Sequence, residues 1–373
     1  MWRRSTLMSR AGKINNKEKK ILNILGKNPG VAVKELMNAT GYKWPSTISQ
    51  KLEKFEKLGY LKKGPYYDLN LSAVGKNQLY FVYGDIRFPS RNRDIVLEAI
   101  KIIECWRWIY PTIDTNRFFV LFQVNHFNQI GKLLSILKNA DLISYELFAS
   151  KNRWIVKNPD FFGEEIPVLK DPDMTIEPPD LSYPDLNLSI GWREVDLRLM
   201  QYLQIFTDNL RIIQKMEYQN FSNFWKYHQL KHSFKKIMES GIVNDTLHHL
   251  RPYPVDECST LLLIIESEDS ELVLHLMDQF AERSRIHKSF SLAGNTGFMF
   301  LWASPKFMLN LLKYFDEFRE LEVRVAPLRT HNSRYLAKQS FHAEHFDIET
   351  QRWTFPYAKY EKKIRELIKR KGP

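Results

Sequence analysis

The sequence repeats itself at an interval of about 180 residues, and a duplicated chain must build the same unit twice. Lys19 to Lys63 (KKILNILGKNPGVAVKELMNATGYKWPSTISQKLEKFEKLGYLKK) aligns with Leu197 to Asp245 (LRLMQYLQIFTDNLRIIQKMEYQNFSNFWKYHQLKHSFKKIMESGIVND). Each reads as helix, turn, helix, turn, longer helix, then a glycine and a strand, with Gly59-Tyr60-Leu61 matching Gly241-Ile242-Val243. Downstream, Leu79 to Phe148 alternates short β-branched and aromatic runs with longer segments of helical apolar spacing, in the order strand, helix, strand, strand, helix, strand. Thr260 to Leu328 repeats that order, which is the βαββαβ sequence of a ferredoxin-like sandwich. Lys151-Asn152-Arg153-Trp154 also rhymes with Asn332-Ser333-Arg334-Tyr335. Repeat one runs from Lys17 to near Asp185, and repeat two from near Arg193 to Pro356.

The expected fold class is therefore α+β, with two winged helix-turn-helix domains alternating with two ferredoxin-like domains. The expected boundaries are 13–75 and 76–158 for the first pair, then an acidic Pro-rich linker over 159–192. The second pair takes 193–252 and 253–330, followed by a C-terminal extension, 331–373. Asp160 to Asp185 carries prolines at 167, 172, 178, 179 and 184, which excludes a helix or a central strand. Tyr357 to Lys371 places Tyr357, Tyr360, Ile364, Leu367 and Ile368 at helical spacing with Lys and Arg between them, an amphipathic basic helix.

Composition narrows the partners. With 44% hydrophobic and 26% charged residues in 373, a disordered chain is excluded. The net charge is +12, favouring a polyanionic partner. It is concentrated in Met1 to Ser72, with about 15 Lys and Arg against about 5 Asp and Glu. Cys105 and Cys258 lie far apart, without zinc or disulfide spacing. Arg3, Arg4, Arg10 and Lys13 have no apolar run behind them, and apolar runs such as Leu261 to Ile265 are far short of a membrane span. A cytoplasmic protein without a membrane partner is expected.

In the first helical trio, Ile21, Leu22, Ile24 and Leu25, then Val33, Leu36 and Met37, then Ile48, Leu52, Phe55 and Leu58 form three apolar stripes. Pro45 suits the first turn of the third helix. Tyr60 to Leu71 then supplies two strands around Gly64-Pro65, the hairpin of a wing. A helix entering the major groove needs short polar or basic side chains near its N-terminus, which Lys43, Trp44, Ser46, Thr47, Gln50, Lys51 and Lys54 provide. Lys62 and Lys63 in the wing are expected at phosphates. In the second trio Asn220, Ser222, Asn223, Lys226, Gln229, Lys231 and Lys235 are the corresponding candidates, with Trp225, His228, His232 and Lys236 beside them, on a weaker basic balance. The alternative is that these heads are protein docking modules.

The helices ending in QKLEKFEKLGYLKK, followed by βαββαβ units such as SFSLAGNTGFMFLWASPKFMLNLLKYFDEFRELEVRVAPL, make the chain resemble archaeal and bacterial Lrp/AsnC-type transcription regulators, twice over. That resemblance implies a DNA-binding head, a RAM (ligand-sensing) domain and pairing through the RAM domains. It implies a sequence-specific regulator that binds double-stranded DNA, here with the paired units in one chain and with homo-oligomers through the ferredoxin-like domains. The family's Gly and Asp at the turn between the second and third strands are replaced by Ile113-Asp114-Thr115-Asn116 and Gly294-Asn295-Thr296-Gly297, so a small-molecule effector is left open. Gly294 and Gly297 are expected to make a tight hairpin requiring positive φ.

No nucleotide-binding, hydrolase or metalloprotease motif occurs, and His342-Ala343-Glu344-His345 falls one residue short of a metal-binding spacing, which predicts a polar surface loop. No catalytic residue, metal or cofactor is expected, and the chain is read as not an enzyme. One enzymatic alternative follows from the same resemblance: siroheme decarboxylases share this fold and work as paired homologous subunits, and His331, Arg334, His342 and His345 are the residues available for a tetrapyrrole pocket. An RNA-binding sheet is the third reading, with Trp106, Trp108, Phe118, Phe119 and Phe122 as stacking candidates, although packing explains adjacent Phe118 and Phe119 better.

Overall fold

The computed structural model describes residues 14–62, 64–186, 190–221, 225–317, 320–330 and 334–371. The first head is α1 (Asn16–Lys27), α2 (Val33–Thr40) and α3 (Pro45–Leu58). Asn15 and Glu18 close a reciprocal capping box at the start of α1. Pro45 opens α3, and Gly59, at φ +78°, ends it in the left-handed conformation that glycine tolerates. Ile21, Leu22, Leu36, Ile48 and Phe55 fill the core between the three helices.

The wing differs from the expected hairpin. Of Tyr60 to Leu71, only β1 (Tyr66–Leu69) is a strand among the described residues, and it pairs not with its own neighbour but with the second head. A short helix, α4 (Leu71–Val74), leads into the first ferredoxin-like unit. This comprises β2 (Tyr80–Arg87), α5 (Arg93–Ile102), β3 (Trp106–Pro111), β4 (Arg117–Val124), α6 (Phe127–Lys138) and β5 (Ser144–Ser150), then a crossing strand β6 (Ile155–Lys157). The second head is α7 (Glu194–Ile205), α8 (Leu210–Phe221) and α9 (Tyr227–Glu239), followed by β7 (Val243–Leu247), the partner of β1. The second unit runs β8 (Ser259–Glu266), α10 (Ser270–Gln279), β9 (His287–Ala293), β10 (Thr296–Ala303), α11 (Phe307–Asp316) and β11 (Glu322–Pro327). A crossing strand β12 (Ala337–Lys338), a small ladder of β13 (Phe346–Asp347) and β14 (Arg352–Trp353), and α12 (Tyr357–Lys371) complete the chain.

The fold class expected from the sequence is the one observed. The two sheets run β12-β3-β4-β2-β5 and β11-β8-β10-β9-β6, so each unit receives its outermost strand from the segment that follows the other unit. This reciprocal exchange interlocks the halves. The sheets also pack face to face within the chain, with Tyr83 stacked on Phe298 at 4.3 Å and Phe119, Leu121, Leu262, Ile264 and Phe300 buried around them. Arg324 ties the units at the rim, 2.7 Å from Glu146 and 2.6 Å from Glu266. Alternation along β4 sends Phe118 to the helix-side core and Phe119 to the inter-sheet core. With both faces covered, Phe118, Phe119 and Phe122 offer no platform for stacked bases.

Gly294 has the expected positive φ of +61°, but Gly297 does not; its hydrogen lets α10 close on the sheet, where a Cβ would lie 2.6 Å from Val273. The acidic Pro-rich stretch forms no helix, yet it is strapped down: Phe161 enters the core of the first head and Leu181 that of the second unit. The amphipathic C-terminal helix docks Tyr360, Ile364 and Leu367 on α5 and α6. No helix among the described residues is long and apolar enough to cross a membrane.

Candidate functional site

The pairing of the two heads continues beyond β1 and β7. Leu61 bridges Leu250, the Lys62 amide donates to the His249 carbonyl at 3.2 Å, and the Arg251 amide donates to the Tyr60 carbonyl at 2.7 Å. These bonds set Lys62, His249 and Arg251 side by side. Beneath them, His287 of β9 lies opposite Trp302 of β10 in register, and their rings stack at 4.2 Å. The crossing strands supply the rest: β12 pairs Lys338 with Trp108, and β6 pairs Val156 with Ser289, bringing Trp154 alongside. The result is a chamber of about 240 Å³ walled by Trp108, Tyr110, Trp154, Phe300 and Trp302, with Lys62, His249, His287 and Lys338 facing it. Arg251 lies over Trp302 at 5.1 Å, Lys62 over Tyr66 at 4.5 Å and Lys338 over Tyr110 at 4.9 Å.

No carboxylate lines this chamber, and among the described residues none lies within ion-pair distance of Lys62, Arg251 or Lys338. The cations therefore act on one another. Desolvation, then Lys338 and Arg251, push the Lys62 ammonium down to about 7. Desolvation and Arg251 push Lys338 down to about 8, although its side chain remains open to water in the chamber. Burial, with Arg251 and Lys338, lowers His287 to about 3, and burial with His287 and Lys62 holds His249 well below its usual value. His287 Nδ1 is buried without a hydrogen-bond partner. Such a site is expensive for the chain alone and becomes favourable when an anion enters, because each cation regains a partner in a partly dehydrated setting.

The residues expected at DNA fall in several places. Lys43, Ser46 and Gln50 are exposed, Thr47 is half-buried, and Trp44 is 68% exposed at the start of α3. Lys51 and Lys54 each lie 2.9 Å from the buried Glu18 carboxylate, so their charge is engaged within the head. Lys62 faces the chamber. Asn220, Lys226, Gln229, Lys231 and Lys235 are exposed; the Lys226 amide donates to Gln229 Oε1 as part of the cap of α9, and Lys235 faces Glu239 at 3.6 Å. Lys63, Ser222 and Asn223 lie outside the described residues.

Of the residues offered for a tetrapyrrole pocket, the structure brings His342 and His345 together. His331 lies outside the described residues, and Arg334 is exposed and bonds Tyr335 and Asp94. His342 and His345 are near each other, but the polar surface loop expected there is a short turn that buries His345 against Tyr360, whose hydroxyl is 2.9 Å from Nε2. Among the described residues no cluster of His, Cys, Asp and Glu is placed to hold a metal. Sequence reasoning missed His249, Arg251, His287, Trp302 and Lys338. The one local signal was His287-Lys288 opening a strand that continues as serines alternating with apolar residues.

No protein-family model and no curated protein matches the sequence. Among solved structures, the siroheme decarboxylase NirDL is similar along the chain at 11% identity, covering 95% of this chain and 99% of that one with a TM-score of 0.46. The same enzyme in complex with an iron-uroporphyrin III analogue gives 11%, the same coverage and a TM-score of 0.47. AsnC of E. coli is similar over 37% of this chain and 92% of its own at 22% identity, with a TM-score of 0.29. The expectation that the chain is not an enzyme is corrected here, since both of these full-length matches are structures of an enzyme.

Proposed function

We propose that the chain binds a flat, polycarboxylated molecule in the aromatic, cation-lined chamber and removes carbon dioxide from it, a decarboxylase acting on tetrapyrrole carboxylates. The observation that carries this reading is the convergence of Lys62, Lys338, His249 and His287 on a chamber with no acidic residue among those described as lining it, with Arg251 over its Trp302 wall. Indole and phenyl faces suit a planar ring, and fixed cations suit its carboxylates. Iron-uroporphyrin III, the ligand class bound to NirDL, has both features.

The chemistry is balanced without an oxidant: a carboxylate leaves as carbon dioxide, its bonding electron pair stays on the side-chain carbon, and one proton replaces it. A partly dehydrated wall favours a step that disperses charge. His249 and His287 are held neutral in the empty chamber. A bound carboxylate raises their proton affinity, which would let an imidazolium deliver the proton at the reacting carbon. Incubation of the purified chain with uroporphyrin and its iron complex, followed by mass spectrometry, should reveal loss of carbon dioxide from side-chain acetates. Binding without mass loss would leave a carrier or sensor, and absence of binding would remove the reading.

A second reading is favoured by the exposed Lys43, Trp44, Ser46 and Gln50 at the N-terminal end of α3: the first head binds duplex DNA, with the second head as a further contact. Salt-steep binding of duplex fragments would support it.

A further inference from the structure

The chamber does not end at Trp108 and Trp154. A second chamber of about 230 Å³ shares Trp108, Trp154, His249 and Lys338 with the first and continues past Phe81 and Leu121 of the first sheet toward Arg107 and Gln204. Arg107 is a charged residue there that the fold leaves incompletely bonded, as it leaves Gln123 Oε1 and Trp154 Nε1. Its Nη2 donates to Gln204 Oε1 at 2.6 Å, but its Nη1 is buried with no partner, and among the described residues no carboxylate lies within ion-pair distance of it. An arginine donor in such a place costs stability unless something accepts from it. Asp68, which also lines this chamber, is engaged elsewhere, by Tyr183 at 3.3 Å and Asn244 at 3.4 Å.

Either chamber alone falls below the range of about 300 to 1,000 Å³ common for ligand sites, whereas the two together reach it. Basic side chains line both: Lys62 the first chamber, Arg107 the second, and Lys338, with the neutral His249, the waist that the two share. Resting on the reading that the chamber takes a flat polycarboxylate, we propose that the two chambers are one elongated site and that Arg107 anchors a remote carboxylate of the bound molecule. The ligand class is thereby narrowed to rigid, extended polycarboxylates that fill both chambers, and small aromatic polyacids occupy only the Lys62 end. Arg107 is a positioning residue for such a ligand, since a fork-shaped guanidinium in the second chamber fixes the register of the ring against His249 at the waist and His287 in the first.

The test uses the full chain and two probes, benzenehexacarboxylate and uroporphyrin, followed by quenching of tryptophan fluorescence. Wild type should bind both. Arg107→Gln should weaken uroporphyrin roughly ten-fold or more, the usual range for a lost charge-assisted hydrogen bond, and leave benzenehexacarboxylate unchanged, which also shows that the variant is folded. Equal weakening of both probes, or no weakening of uroporphyrin, overturns the proposal. Binding of benzenehexacarboxylate but not uroporphyrin by wild type also overturns it, while the anion-binding reading of the first chamber stands. If neither probe binds, that reading falls and the proposal with it.

Discussion

Replacing Lys62 with methionine separates the chamber from the DNA-contact role that its place in the wing suggests. Methionine keeps the length and much of the packing of the stem over Tyr66 while deleting the charge. A hydrogen bond from an ionised donor to a carboxylate contributes about 1.5–3 kcal/mol, so Lys62→Met should weaken benzenehexacarboxylate by roughly 10- to 150-fold at pH 6. At pH 9 the difference should shrink. Lys62 is pushed down to about 7 in the empty chamber, so wild type itself has lost most of that charge. The empty variant should be as stable as wild type or more so, because a charge that desolvation and the neighbouring Lys338 and Arg251 disfavour has been removed. Calorimetric titration at both pH values and thermal melting measure all three effects. Unchanged affinity at pH 6, or a difference that persists undiminished at pH 9, would refute the reasoning.

Other outcomes follow from the same geometry. Phe298→Ala, which removes a fully buried ring stacked on Tyr83 between the sheets, should cost about 3–5 kcal/mol in denaturant titration, and a loss below about 1 kcal/mol would mean the two units do not share a core. The empty chain should gain stability as pH rises from about 7 toward 10, because unfolded Lys62 and Lys338 bind protons there that the folded residues, at about 7 and about 8, have released; a melting temperature flat or falling over that window argues against the cluster. Lys43→Ala should lower the affinity of the first head for duplex DNA and reduce its salt slope by roughly one unit, whereas Lys62→Met should do neither.

Much of the architecture was legible because its causes are local. Pro45 starts α3, Gly59 follows it, and β-branched and aromatic runs mark the strands of each ferredoxin-like unit. The site was not legible. Lys62 reads as a wing phosphate contact because its neighbours in sequence are Gly64 and Pro65, yet the fold sets it beside His249 and Arg251. Lys338 sat in an extension with no visible partner until β12 crossed to β3. His345 looked like part of a polar loop until Tyr360 covered it.

By itself, the sequence determined that the chain is duplicated, that each copy has a helical head and a βαββαβ unit, and which faces are apolar, since periodicity and capping act over a few residues. Only the tertiary structure decided that the copies exchange their edge strands, join their wings and enclose one cationic chamber. That outcome depends on pairings between residues more than a hundred positions apart, whose unmet backbone hydrogen bonds and apolar faces can be satisfied only when both halves are folded together.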